Sequence, residues 1–258
     1  MVEALAVASG KGGTGKTTTA VALGMALADE YDVTVVDADT GMANLLFHAD
    51  LVDAETTLHD LLVEGADAAV EDAVYERFGM RVVPCGTDLA GFRAADPARL
   101  RAVIATLAAD ADVLLLDSPA TLESKGAVLP LVLADRTVVV VQPSVPALAD
   151  ALKVQEYARS YDTGVAGLVF NRVHDAGDVE GVVEKAEQYF GGPALATVPD
   201  EDAVRAARRA GVPLLEHAPE SAAADAFREA ASVLDPAVGG DSGAVADRFR
   251  HAVVPEEP

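Results

Sequence analysis

The chain has 258 residues, of which 51% are hydrophobic, enough for one sizeable buried core and too many for an acidic disordered chain. Its formal net charge of −23 opposes nonspecific binding to nucleic acid or anionic lipid, so DNA is not an expected partner. A single cysteine, Cys85, excludes an internal disulfide framework and any cysteine-cluster metal site within one chain, and reads as a small strand-end residue.

Leu5–Ala8 reads as a short buried strand running into residues 9–18, SGKGGTGKTT. Gly10-x-x-x-x-Gly15-Lys16-Thr17 is a complete phosphate-binding loop. Its glycines permit positive φ, which lets successive N–H groups turn inward and cradle phosphate oxygens. Lys16 is placed to reach the β- and γ-phosphates, and the Thr17 hydroxyl to hold Mg²⁺. Thr18–Ala28 is rich in Ala, Leu and Val and free of proline, so it reads as a helix whose N-terminus aims at the phosphate. The expected cofactor-binding set is Gly10, Lys11, Gly12, Gly13, Thr14, Gly15, Lys16, Thr17 and Thr18. A generic loop does not need a cation directly after its first glycine. This chain has only five lysines, yet places Lys11 and Lys16 within six residues of each other.

Val33–Asp37 is a β-branched strand ending in Asp37-Ala38-Asp39. Leu58–Leu62 and Ala68–Val74 look like short helices, and Met80–Val83 like a strand stopped by Pro84. Pro97–Ala109 is expected to be one helix, with Asp96 as N-cap and Pro97 at the first helical position. Val113–Asp117 is apolar up to its last residue, as in a fully buried parallel strand. Helices are then expected over Gly126–Ala134, Ala147–Tyr161, Val179–Phe190, Asp202–Ala210 and Ser221–Leu234. Strands are expected over Thr137–Gln142, Gly167–Asn171 and Ala194–Val198. This alternation predicts an α/β fold, an open, mostly parallel sheet with helices on both faces, over residues 1–234.

A Pro/Gly-containing break opens an acidic tail, 235–258. Within it Val245, Phe249, Ala252 and Val253 recur at helical spacing, near Arg248, Arg250 and His251. Two readings stay open: a small amphipathic helix docking on a membrane or a partner, and a frayed or packed terminus. No apolar run approaches the ~18 residues of a membrane span, and no leader pattern precedes the first strand. The expected location is therefore cytoplasmic, with any membrane or polar contact peripheral.

Carboxylates at strand ends add to the loop. Asp117 closes a buried strand, where a phosphate-binding ATPase needs an acid to position Mg²⁺. Asp37 and Asp39 close another. Strand ends at one edge of an open parallel sheet form its ligand crevice, and three carboxylates beside a triphosphate require a metal, so ATP and Mg²⁺ are the expected cofactors.

With these residues the chain resembles the MinD/ParA family of deviant Walker A P-loop ATPases, most nearly its MinD branch, over about residues 2–234. Residues 11–18, KGGTGKTT, match the family signature K-G-G-x-G-K-T-T. Residues 37–45, DADTGMANL, resemble its first switch, and 116–120, LDSPA, its second. Pro143, Asp150 and 211–213 match later landmarks. The resemblance implies a slow, Mg²⁺-dependent ATP hydrolase that forms a homodimer with ATP and answers to an activating or cargo protein. It implies catalytic roles for Lys11, reaching across to the partner's phosphates, for Lys16, and for Asp39, orienting the attacking water. It implies Mg²⁺ contacts from Thr17, Asp37 and Asp117, and base contacts from Asn171, Pro199 and Asp200. The implied function is a spatial switch that positions a division site or a polar structure. The alternatives are a ParA-type partition ATPase, a metabolic P-loop enzyme and a scaffold that barely turns over. The chain departs from the family in carrying Thr121 where glycine is usual, and in a tail that is not strongly basic. The acidic excess and scarce lysine suggest a halophile's salt-rich cytoplasm, where a Debye length below ~3 Å weakens the charge objection to DNA.

Overall fold

The computed structural model describes residues 2–65, 67–120, 125–175, 177, 179–238 and 249. Eight strands are present: β1 (Glu3–Ala8), β2 (Val33–Asp37), β3 (Tyr75–Arg77), β4 (Met80–Val83), β5 (Val113–Asp117), β6 (Arg136–Val141), β7 (Gly164–Val173) and β8 (Ala194–Pro199). They form one sheet in the order β3-β4-β2-β5-β1-β6-β7-β8. Every described pairing is parallel except β3 with β4. The strands read as apolar runs because both faces are covered.

The helices are α1 (Lys16–Leu27), α2 (Leu45–His48), α3 (Leu58–Leu62), α4 (Leu89–Ala94), α5 (Leu100–Leu107), α6 (Lys125–Leu133), α7 (Val145–Ser160), α8 (Glu180–Phe190), α9 (Asp202–Ala210), α10 (Leu214–His217) and α11 (Ala222–Leu234). The side chains of each strand alternate between the two layers. Leu5 and Val7 of β1 join a core with α1 and with Phe227 of α11. Ala4 faces the opposite layer beside Leu100, Ile104 and Leu129, and Ala6 and Ala8 pack there with Leu131 and Val154.

Two expectations need correction. The short helix expected over 68–74 is a shorter 3₁₀ helix, Val70–Ala73, that leads into β3. The cause is the two-residue turn Phe78-Gly79, with φ of 52° and 79°, which folds β3 back on β4 as an antiparallel edge strand. The helix expected over Pro97–Ala109 begins as a 3₁₀ turn, Pro97–Arg99, before α5. Asp96 still caps it, accepting from the Ala98 amide at 3.0 Å. Short α2, α4 and α10 were not expected from periodicity, which needs longer windows.

At the start of the tail, residues 235–237 are held at the bottom of the sheet. Glu3 is buried and takes a bidentate contact from Arg136, with Nη2 to Oε2 at 2.9 Å. Glu3 also accepts the Ala237 amide at 2.7 Å, while Arg136 donates to the Asp235 carbonyl at 3.2 Å. Phe249 is buried against the core that contains Val2, Leu58 and Leu133. The remaining residues of the amphipathic pattern at 243–254 lie outside the described residues.

Candidate nucleotide site

The chain places β2 and β4 to one side of β1 and β6, β7 and β8 to the other, so β1 ends at the point where strand order reverses. In such sheets the ligand crevice opens at this point, at the carboxyl ends of the strands. The phosphate loop follows β1 here and delivers the chain into α1. Gly15 stands before the first helical residue with φ 104°, a conformation that favours glycine. The first-turn amides of Lys16, Thr17 and Thr18 have no intrahelical acceptor and are available to an anion.

Two close approaches explain glycines in the loop. A Cβ on Gly15 would lie 2.1 Å from Asn171 Nδ2, and one on Gly10 would lie 2.2 Å from the Asp150 carbonyl group in α7. Asn171, at 7% exposure near the end of β7, donates Nδ2 to the Thr14 carbonyl at 2.7 Å and accepts from the Arg172 amide at 2.9 Å. Asn171 therefore clamps the loop backbone, a role that its sequence context does not announce.

The carboxylates meet at the same edge. Asp37 and Asp117 are partners in register across β2 and β5, and both are buried. Burial first, then the charge of Asp117, raises the Asp37 carboxyl well above the usual range, against the amides of Leu45 and Asn44. Those amides reach Asp37 Oδ2 at 3.0 and 3.1 Å, and the Asp39 amide reaches Oδ1 at 3.3 Å. Burial likewise pushes Asp117 up to about 7, opposed by the nearby Thr17 hydroxyl and by Lys16. Lys16 is itself lowered by burial, against the attraction of Asp117 and Asp39. Asp39 Oδ1 accepts from the Met42 amide at 2.9 Å.

Asp117 Oδ1 is buried without a hydrogen-bond partner among the described residues. An orphaned carboxylate oxygen beside a second buried carboxylate and a threonine hydroxyl fits a divalent cation. No group of three or more His, Cys, Asp and Glu side chains is arranged to hold a metal among the described residues.

The structure brings Lys11, Lys16, Thr17, Asp37, Asp39 and Asp117 to one region of the sheet edge. Asn171 and Pro199 close the neighbouring strands β7 and β8, where Asn171 pairs with Val198 and Val173 with Pro199. Asp200 follows, held by Arg205, with His174 Nε2 3.7 Å from its Oδ2. Lys11 is half-buried and its ammonium makes no ion pair among the described residues. Cys85 lies buried beyond the end of β4, its thiol pushed up by burial, which makes it inert. Thr121 lies outside the described residues. His59, which no motif singles out, is buried with its ring against the loop after β2.

The family model "CobQ/CobB/MinD/ParA nucleotide binding domain" matches residues 5–214. An uncharacterised ATP-binding protein of Methanocaldococcus jannaschii is 38% identical over 236 residues, 91% of this chain and 88% of that protein. The septum site-determining protein MinD from Pyrococcus horikoshii, solved with Mg-ADP, superposes with a TM-score of 0.81 at 33% identity, covering 91% of this chain and 96% of that one. The MinD of the Aquifex aeolicus MinC:MinD cell division complex gives 0.76 at 26% identity, over 90% and 96%. With a match over most of its length and the phosphate loop in place, the chain belongs to the CobQ/CobB/MinD/ParA nucleotide-binding family.

Proposed function

We propose that this protein is a Mg²⁺-dependent ATPase that works as a MinD-like spatial switch, dimerising with ATP and positioning a cellular structure. The observation that carries the reading is a complete phosphate loop with a second lysine. Lys16 is buried among carboxylates, whereas Lys11 is half-buried and makes no ion pair among the described residues. The loop amides would cradle the phosphates, and Thr17 and Asp117 would hold the metal, with Asp37 behind them. Mg²⁺, when bound, neutralises charge on the phosphates and on the two buried acids. Asp39 stands beside Lys16 to orient water. Apolar side chains on the loop after β2 and at the start of α7 favour a face-to-face partner: Met42 is 71% and Val145 81% exposed. The MinD relatives are named for septum-site selection or cell division, which supports the positioning role.

The test is sedimentation at high salt with ATP and Mg²⁺, alongside calorimetry. Wild type is expected to dimerise. Lys16→Ala loses most of its ATP affinity. Lys11→Ala keeps measurable ATP binding but stays monomeric and loses turnover, because the cross-subunit cation is gone. If wild type and Lys11→Ala dimerise alike, or both remain monomeric, the switch reading fails and a metabolic P-loop enzyme takes its place.

A further inference from the structure

Asp39, which orients water in the proposed hydrolysis, sits on the loop between β2 and α2. That loop is held largely by its own groups and by Asp37, which takes the amides of Asp39, Asn44 and Leu45. Among the described residues, one side chain from outside the β2–α2 segment hydrogen-bonds to this loop. His59 of α3 places Nε2 2.9 Å from the Thr40 carbonyl oxygen. The histidine is 2% exposed and firmly seated. The Leu58 amide donates to the Pro84 carbonyl beyond β4 at 2.8 Å, and the Asp60 carboxylate takes the Thr57 amide at 2.8 Å. Gly86 and Gly91 leave the slot for the ring: a Cβ on them would lie 3.0 and 3.2 Å from His59 Nδ1. Phe92 of α4 lies tilted against the imidazole, centroids 6.4 Å apart, and its edge also approaches Gly41.

The chemistry of this contact sets its direction. A carbonyl oxygen only accepts, so Nε2 carries the hydrogen; in the neutral ring Nδ1 then holds a lone pair. Nδ1 is buried and has no hydrogen-bond partner among the described residues. A leucine would fill the same slot without leaving a buried nitrogen unpaired, an unfavourable arrangement that calls for an explanation. The bond to Thr40 supplies one.

We propose that His59 is a positioning residue for hydrolysis: its Nε2–H fixes the Thr40 peptide and so the adjacent Asp39 carboxylate. This rests on the ATPase reading above. Small displacements of a positioned group cost large factors in rate, so the effect falls on turnover rather than on nucleotide affinity.

The experiment compares His59→Leu, His59→Asn and His59→Gln in the full chain. Glutamine can carry its amide N–H to about the place of Nε2; asparagine reaches only as far as Nδ1. Hydrogen exchange without nucleotide is read at the amides of Asp39, Met42, Asn44 and Leu45. The expected result is exchange about tenfold faster or more in the Leu and Asn variants, with α1 unchanged and the Gln variant close to wild type. At saturating ATP, kcat falls about tenfold in Leu and Asn at unchanged KM, and Gln recovers most of it. Unchanged loop exchange, or unchanged kcat in a variant whose loop has loosened, overturns the proposal. If wild type itself shows no turnover, the ATPase reading fails, while the exchange comparison still decides whether His59 holds the loop. Should His59→Leu not fold, the Asn and Gln pair carries the same comparison.

Discussion

Asp117 joins the loop's chemistry to the stability of the whole chain. It is buried, paired in register with Asp37, and its carboxyl is pushed up to about 7 mainly by burial. The unfolded chain ionises aspartate near ~3.9. A folded-state value above the unfolded one means that the stability contributed is fully present below about pH 4 and lost as pH rises through about 7. Asp37 is raised for the same reason and adds in the same direction. Nucleotide-free protein is therefore expected to lose stability between about pH 4 and 7, and Asp117→Asn to lose less of it over that range. Urea midpoints for both proteins at each pH check this. Equal pH slopes would show that Asp117 does not titrate above its unfolded value in the folded chain. Mg²⁺ with nucleotide should remove most of the difference, since a cation held at this site would offset the charge of the two acids.

Elements act on the site by how closely they approach it. The phosphate loop lies against the backbone of α7 at Gly10 and against Asn171 of β7 at Gly15. A side chain meeting backbone 2.2 Å away has no flexible end to yield, so either the loop or α7 must shift. Gly10→Ala is expected to lower stability by about 1–3 kcal/mol, the usual range for overpacking. Its larger effect is on nucleotide affinity, by tenfold or more, because the loop amides no longer converge. Calorimetry and denaturation on the variant separate the two effects. Affinity within twofold of wild type would show that the loop moves without losing its cradle.

The molecule as a whole carries its charge outside. Among the described residues the buried carboxylates are Glu3, Asp37 and Asp117. Glu3 is matched by Arg136, whereas most of the remaining acids face solvent and repel one another. The Debye length is about 10 Å at 0.1 M salt and about 3 Å at 1 M. Raising KCl from 0.1 to 2 M is therefore expected to lift the thermal midpoint by several degrees, at ~2–4 °C per kcal/mol for a chain of this size. Scanning calorimetry across that range is the measurement. A flat midpoint would mean that surface repulsion is not a term in its stability.

The sequence by itself determined the sheet, its two layers of helices and the phosphate loop. Buried parallel strands are uniform apolar runs, and the loop's glycines and lysine are local requirements that spacing reveals. Asp37 and Asp117 were legible as strand-end acids for the same reason. Their register was not, because pairing between β2 and β5 joins residues 80 apart through backbone hydrogen bonds that carry no residue code. The edge strand β3 was missed because three residues are too few for a period, and its Phe78-Gly79 turn decides it only once β4 is in place. Asn171 as a clamp and His59 as a prop depend on contacts across 157 and 19 residues. Such contacts exist only when the sheet brings several loops to one edge. Tertiary structure alone decided which polar groups meet there, since a hydrogen bond selects by position in space and leaves no pattern along the chain.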